Sequence, residues 1–304
     1  MEFPGDIIIS AIISTYNREK YIPGLLDNLL KQTLSNNRFE IIIVDNNCTD
    51  NTPEICRNFI ESHKELNIKY IVEPMQGLSH ARNCGINNSL AGLLTFVDDD
   101  ALLSENFLEV CVEFFKNNPD ADAIGGKILL NYEGEKPGWV TVYHESLFGY
   151  FNPGNDEKVF TRSKYPRGSN MTFRKSVFEN FGLFNTGLGR SGKNMLGAEE
   201  KELFERIKGK VVYVPSAIVF HYVPVERTIK SFVKRQAIGI GRSEKIRTLT
   251  RSGPAYYKRI LTEFIKWGAT FILAVIYSAT LNFSKAGMII FLRYYITSGL
   301  LSGK

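Results

Sequence analysis

Apolar residues in the first 130 positions fall into short β-branched runs separated by stretches with helical spacing. Residues 7–13 form the first run. The polar Ser14-Thr15-Tyr16-Asn17-Arg18 follows, and then a helix carrying Ile22, Leu25, Leu26, Leu29 and Leu30 on one face. Residues 39–44 repeat the strand and end at Asp45, after which Thr52 is the expected cap of a helix with Pro53 at its first position. Residues 68–72 give a third strand, and Gly77 to Asn83 leads into a helix through Ile86 and Leu90. The fourth strand, Leu93-Leu94-Thr95-Phe96-Val97, has no polar face and is expected at the buried centre of a parallel sheet; it ends in Asp98-Asp99-Asp100. Ser104 is the expected cap of a helix bearing Phe107, Leu108, Val110, Cys111, Phe114 and Phe115, and residues 123–130 return as a strand. This alternation predicts the α/β class, with a mostly parallel, Rossmann-like sheet, right-handed crossovers and flanking helices.

The pattern changes at Asn131. Residues 131–167 collect aromatics, Gly and Pro and read as a long connection at the edge of a site. A short strand at 171–174, a short helix at 175–181, a Gly-rich loop at 182–196 and a helix at 199–207 are expected next. Two strands, 211–214 and 217–220, are separated by Pro215-Ser216, and helical patterns fill 227 to the end. The expected divisions are 1–130, 131–224 and a helical tail at 225–304.

Charge sets that tail apart. From Val225 onward there are 14 Lys/Arg against 3 Glu, or +11, which leaves −6 for everything before it in a chain of net +5. The tail also contains the uncharged stretch 267–284 and the apolar stretch 288–292, short against the roughly 20 residues of a spanning helix. Basic residues ahead of apolar segments favour an anionic membrane surface on the cytoplasmic side. Aromatic interleaving of the single-strand type is weak, so no nucleic acid is expected. Cys48, Cys56, Cys84 and Cys111 lack C-x-x-C spacing and read as reduced thiols, and the N-terminus lacks the basic start of a signal peptide. The expected location is cytoplasmic, on the inner face of the cell membrane.

The acids close a strand at the end where α/β sheets bind ligands. Three adjacent carboxylates raise one another's pKa unless a cation sits among them. By strand alternation Asp98 and Asp100 share a side and Asp99 faces the other. An oxygen-rich set suits Mg²⁺ or Mn²⁺. Residues 14–21 contain no Gly and there is no Walker A sequence, so a bound diphosphate would be bridged by a metal rather than cradled by backbone. An aspartyl-phosphate enzyme needs an Asp after the first strand, where Ser14 and Thr15 stand. Glu199 and Glu200 open a helix and lean toward its apolar line of Leu203 and Phe204. Two readings stand for them: a general base with a raised pKa, or first-turn acids favoured by the helix dipole.

Several motifs stand in one order: Thr15-Tyr16-Asn17-Arg18, Val44-Asp45-Asn46, Gly77-Leu78-Ser79 with Ala81-Arg82-Asn83, Asp98-Asp99-Asp100, Gly168-Ser169-Asn170-Met171 and Gly197-Ala198-Glu199-Glu200. Between Ile7 and His221 the chain resembles the family-2 glycosyltransferases. The resemblance implies a GT-A fold, a donor-binding half followed by an acceptor-binding half, and sugar transfer from a nucleotide diphosphate with inversion. It implies that Thr15, Tyr16 and Asn17 line the nucleoside pocket, that Asp45 accepts the base imide hydrogen, and that Arg82 faces base or ribose. Asp98 and Asp99 would contact ribose and phosphate, Asp100 would be the principal metal ligand with Asp98 beside it, and Asn170 would touch donor sugar or acceptor. The family usually carries Glu-Asp where this chain has Glu199-Glu200, so Glu200 takes the position of the base and Glu199 is its neighbour. His221 is a third metal ligand, an acceptor contact or a structural strand-end histidine. The processive motif Gln-x-x-Arg-Trp is missing at Gln236, which favours addition of single sugars.

The expected donor is a UDP-, dTDP- or GDP-sugar, and the acceptor a saccharide or lipid-linked precursor of cell-surface polysaccharide or glycolipid. A sugar-1-phosphate nucleotidyltransferase would carry a Gly-rich phosphate loop near its N-terminus, which this chain lacks. A non-catalytic sugar-binding subunit of a polysaccharide machine would not need both the acid triplet and the paired glutamates.

Overall fold

A computed structural model describes residues 6–161, 164–190 and 197–302. The chain runs β1 (Ile9–Thr15), α1 (Ile22–Leu29), β2 (Phe39–Asp45), α2 (Thr52–Ser62), β3 (Ile68–Val72), α3 (Leu78–Asn88) and β4 (Leu93–Asp98). Then come β5 (Ala101–Leu103), α4 (Phe107–Asn117), β6 (Ala121–Tyr132), α5 (Val142–Leu147), β7 (Lys158–Val159), β8 (Met171–Arg174), α6 (Ser176–Phe181), α7 (Glu199–Arg206) and β9 (Lys210–Val223). Three long helices finish it: α8 (Lys230–Arg251), α9 (Gly253–Ala279) and α10 (Phe283–Leu301).

One sheet has the order β3-β2-β1-β4-β8-β6-β9-β5, with β7 paired to β9. The β1–β2, β1–β4 and β2–β3 pairs are parallel, as strand–helix alternation requires, while β4–β8, β6–β8, β5–β9 and β7–β9 are antiparallel. Parallel pairing therefore ends at β4, beyond which the β4–β8, β6–β8 and β5–β9 pairs run antiparallel. The all-apolar β4 lies at the centre, between β1 and β8. Its period-2 alternation divides the core: Leu93 and Val97 pack with Leu25, Leu26, Phe107 and Phe115 on one face, and Leu94 and Phe96 with Ile86, Phe173, Phe178 and Leu203 on the other.

Four expectations are corrected. Thr52 does not cap α2, since Asn51 is its N-cap and the Thr52 hydroxyl instead accepts the Arg18 backbone N–H at 2.9 Å. Nor does Ser104 cap α4, which starts after Asn106. The two strands expected around Pro215 are one, β9: Pro215 falls between the stretch paired with β7 and the stretch paired with β5, where its missing N–H costs nothing on that edge. The connection at 131–167 contains a helix, α5, and the short β7.

The chain divides into two compact units. The first comprises Met1–Leu129, Phe151–Gly187 and Glu199–Tyr222, so the stretches expected to bind donor and acceptor share one sheet. The second comprises Leu130–Tyr150, Leu188–Ala198 and Val223–Lys304. Within it, α8 and α10 cross so closely at Gly241 and Gly299 that a methyl group on either would meet the backbone of the other helix.

Candidate active site

The carboxyl ends of three neighbouring strands build the site. Register places Ser14 beside Asp98 and Thr15 beside Asp45, so β1, β2 and β4 end at one level. After Asp98 the chain turns, and β5 returns antiparallel to β9 with Ala101 opposite His221. The Tyr222 N–H donates to the Asp100 carbonyl at 2.9 Å and locks that register. His221 therefore faces the acids. Its Nε2 lies 3.1 Å from Asp100 and 3.9 Å from Asp98.

Asp98, Asp100 and His221 each offer one ligand atom, all within 4.8 Å of one another. Asp99, in the turn after β4, meets Arg18, whose Nε lies 3.1 Å from its Oδ1. Burial pushes the Asp99 carboxyl up to about 7, against the pull of Arg18 and with the help of its neighbours Asp100 and Asp98. The cluster holds five carboxylates, Asp98, Asp99, Asp100, Glu199 and Glu200, against the two guanidinium groups of Arg18 and Arg82. That surplus of negative charge fits a divalent cation. So does the imidazole of His221, whose buried Nδ1 has no hydrogen-bond partner among the described residues while Nε2 points into the acids.

Arg82 joins the acids to the glutamates. It is buried in α3, with Nη1 3.0 Å from Glu199 and 3.2 Å from Glu200 and Nη2 3.8 Å from Asp98, and with Phe184 under its guanidinium. Burial works to raise the Glu200 carboxyl, but the Arg82 charge outweighs it and holds Glu200 below the ordinary glutamate value. The raised pKa expected from apolar surroundings is therefore reversed, because an arginine 118 residues away in sequence from Glu200 is its neighbour in space. Gly168 makes the packing possible: a methyl group there would run into the Glu200 carboxylate and the Arg82 guanidinium.

The nucleoside-side residues form one loop system. Asn17, at φ 54°, accepts the Thr49 N–H at 2.7 Å and ties the loop after β1 to the loop after β2. Tyr16 is exposed and Thr15 buried. Asp45 accepts the Cys48 N–H at 2.8 Å through Oδ1, and the Tyr70 hydroxyl donates to Oδ2. Asn170 is spent on the sheet. Its Oδ1 accepts the Gly126 N–H at 3.1 Å, and its Nδ2 donates to the carbonyls of Lys127 at 3.1 Å and Ala217 at 2.9 Å, so it fastens three strands.

Sequence reasoning left two residues without a role. Arg18 was legible only as part of a motif, although it stands in the loop that the acids face. Tyr70 is detectable by parity, since it sits two residues before Val72, the register partner of Asp45.

Comparison with known proteins gives the family context. The chain matches the model of glycosyl transferase family 2 over residues 10–182. A glucosyl-dolichyl phosphate glucuronosyltransferase of Haloferax volcanii is 25% identical over 253 residues, 79% of this chain and 77% of that protein. The minor teichoic acid biosynthesis protein GgaA of Bacillus subtilis is 32% identical over 135 residues, 43% of this chain and 29% of that protein. The mannosyltransferase PcManGT from Pyrobaculum calidifontis, solved with GDP-Man and Mn²⁺, shares the fold with a TM-score of 0.65 at 17% identity, over 99% of this chain and 89% of that one. S. aureus TarS 1–349 in complex with UDP-GlcNAc gives 0.55 at 18% identity, over 96% and 91%.

Proposed function

Because the chain belongs to glycosyl transferase family 2 and is a nucleotide-sugar-dependent glycosyltransferase of glycan biosynthesis, we propose that it transfers one sugar with inversion, using Glu200 as base and a Mg²⁺ or Mn²⁺ held by Asp98, Asp100 and His221. One observation carries this reading: a single buried guanidinium, Arg82, bridges the metal-binding acid Asp98 to the glutamate pair. Donor end and acceptor end of the reaction are thereby held in fixed relation.

The cation would neutralise the charge that develops on the departing diphosphate. Glu200, kept ionised by Arg82, takes the proton of the acceptor hydroxyl as that oxygen bonds to the anomeric carbon. The bond to the diphosphate oxygen breaks on the opposite face, and one displacement inverts the centre. Glu199, more deeply buried than Glu200, orients Arg82 and leaves the outer position to Glu200. Asp45, fixed by Cys48 and Tyr70, and the exposed ring of Tyr16 receive the nucleoside.

A panel of UDP-, dTDP- and GDP-sugars, followed by mass spectrometry, tests the class of reaction. One donor should be consumed, and chelation should stop it. Consumption of none, or equal consumption under chelator, would contradict the reading.

Residues 225–304 supply the basis for a membrane attachment on the cytoplasmic side. Among the described residues α9 is the one helix long and apolar enough to cross a membrane, with a mean hydropathy of 1.5 over its most apolar 18 residues. Its faces are inverted relative to a helix bathed in water. Leu261, Phe264, Ile265, Ile272 and Val275 point outward, more than half exposed, whereas Glu263 and Thr270 are buried toward α10. There Glu263 pairs with Arg259 at 2.6 Å and Arg293 at 2.9 Å. Polar groups inside and apolar groups outside suit a lipid surrounding. The full chain should float with anionic vesicles and stay with them in high salt until detergent is added, and the double change Ile265→Glu, Ile272→Glu should release it. A wild-type chain that stays off vesicles at low salt would sink this attachment.

A further inference from the structure

Of the two arginines described at the acids, Arg82 and Arg18, the mechanism above uses only Arg82. Its place is fixed at the backbone, where its N–H donates to the Thr52 hydroxyl at 2.9 Å. From there the guanidinium reaches across to the acids, with Nε 3.1 Å from Asp99 Oδ1 and Nη2 3.8 Å from Asp100 Oδ2, and the Tyr21 ring lies 5.8 Å beneath it. The two arginines of the site differ in kind. The Arg82 side chain is 3% exposed and is held by three carboxylates, whereas the Arg18 side chain is 32% exposed and makes its ion pairs from the solvent side.

Asp100 is thus asked to serve two cations. Its Oδ1 faces His221 in the metal-ligand cluster, and its Oδ2 faces Arg18. A divalent ion on Asp100 and a guanidinium on the same carboxylate repel each other, and inside a partly desolvated cluster that repulsion is weakly screened. What would draw Arg18 away is the diphosphate that arrives with the ion, because a planar guanidinium fork matches phosphate oxygens and is less hydrated than an ammonium group. Only side-chain torsions need change, since the backbone anchor on Thr52 is independent of the guanidinium.

We propose that Arg18 is a diphosphate-binding residue parked on Asp99 and Asp100, which stands in for the missing positive charge until metal and donor bind and then closes on the phosphate oxygens of the leaving group. The proposal rests on the metal-dependent reading of the site given above. It names a ligand chemistry, a nucleoside diphosphate or pyrophosphate, for a residue that otherwise looks like a surface ion pair. It also makes two effects of one substitution opposite in sign, which a purely structural arginine would not produce.

The test uses the full chain as wild type, Arg18→Met and Arg18→Lys, with Mn²⁺ binding read by electron paramagnetic resonance and with UDP and inorganic pyrophosphate as probes. Without nucleotide, Arg18→Met should bind Mn²⁺ about tenfold more tightly than wild type, since a competing charge is gone. With Mn²⁺ saturating, the same variant should bind UDP and pyrophosphate about tenfold more weakly. Arg18→Lys keeps the charge and loses the fork, so Mn²⁺ affinity should stay near wild type while UDP affinity falls; this variant keeps the test valid if the methionine change impairs folding. Unchanged or weaker Mn²⁺ binding in Arg18→Met would overturn the parked state. Unchanged UDP binding in both variants would overturn the phosphate contact. A wild-type chain that binds no Mn²⁺ with or without UDP would instead remove the metal reading itself, and the inference with it.

Discussion

Glu200→Gln should bind UDP and Mn²⁺ as the wild type does and yet transfer sugar about 10²–10⁴ times more slowly, the usual cost of losing a general base. The amide keeps the size of the carboxylate under Gly168 and can still accept a hydrogen bond from Arg82, so the fold has no reason to change. What it cannot do is take a proton. Because Arg82 holds Glu200 below the ordinary glutamate value, the base is ionised throughout the neutral range, and its own titration should not slow the wild type between pH 8 and pH 6. Single-turnover transfer measured beside UDP calorimetry separates chemistry from binding. Near-normal turnover in Glu200→Gln together with a dead Glu199→Gln would show that the buried neighbour is the base.

Much of this site was legible in the sequence, and what was missed has a common cause. The apolar run of β4 and its three terminal acids pointed both to the centre of the sheet and to the end where the candidate site lies, because the all-apolar pattern and the strand-end rule are local. His221 meets Asp98 and Asp100, as the expected division has it, whereas Arg18 reaches both Asp99 and Asp100, because the chain turns after Asp98 and strand alternation no longer holds there. Partners brought together by tertiary packing were not legible. Nothing near Glu200 in sequence announces Arg82, so the direction of its pKa shift came out reversed. Asn170 likewise stands in a motif associated with substrate, and its three backbone bonds appear only once β6, β8 and β9 lie side by side. The antiparallel half of the sheet was hidden for a related reason: β8 is reached through the long connection at 131–167, whose aromatics, Gly and Pro carry no periodic signal.

The second large effect concerns the metal. Asp100 is buried, and it meets His221 of the candidate metal cluster through one oxygen and Arg18 through the other. Replacing it by alanine removes one of the three groups of the candidate cluster, to which Asp99 does not belong. Loss of even an outer-shell partner of a metal costs about 10–100-fold in affinity, so a direct ligand should cost at least that. Asp98 and His221 would remain, one acid and one imidazole, too few to hold Mn²⁺ against water.

Calorimetric titration of the full chain with UDP, in Mn²⁺ and again in chelator, for wild type and Asp100→Ala, bears on this most directly. The expected result is tight binding by wild type only in Mn²⁺, with Asp100→Ala giving the weak chelator-like isotherm under both conditions. Equal UDP affinity with and without Mn²⁺ in the wild type, or a full Mn²⁺ gain retained by Asp100→Ala, would contradict it.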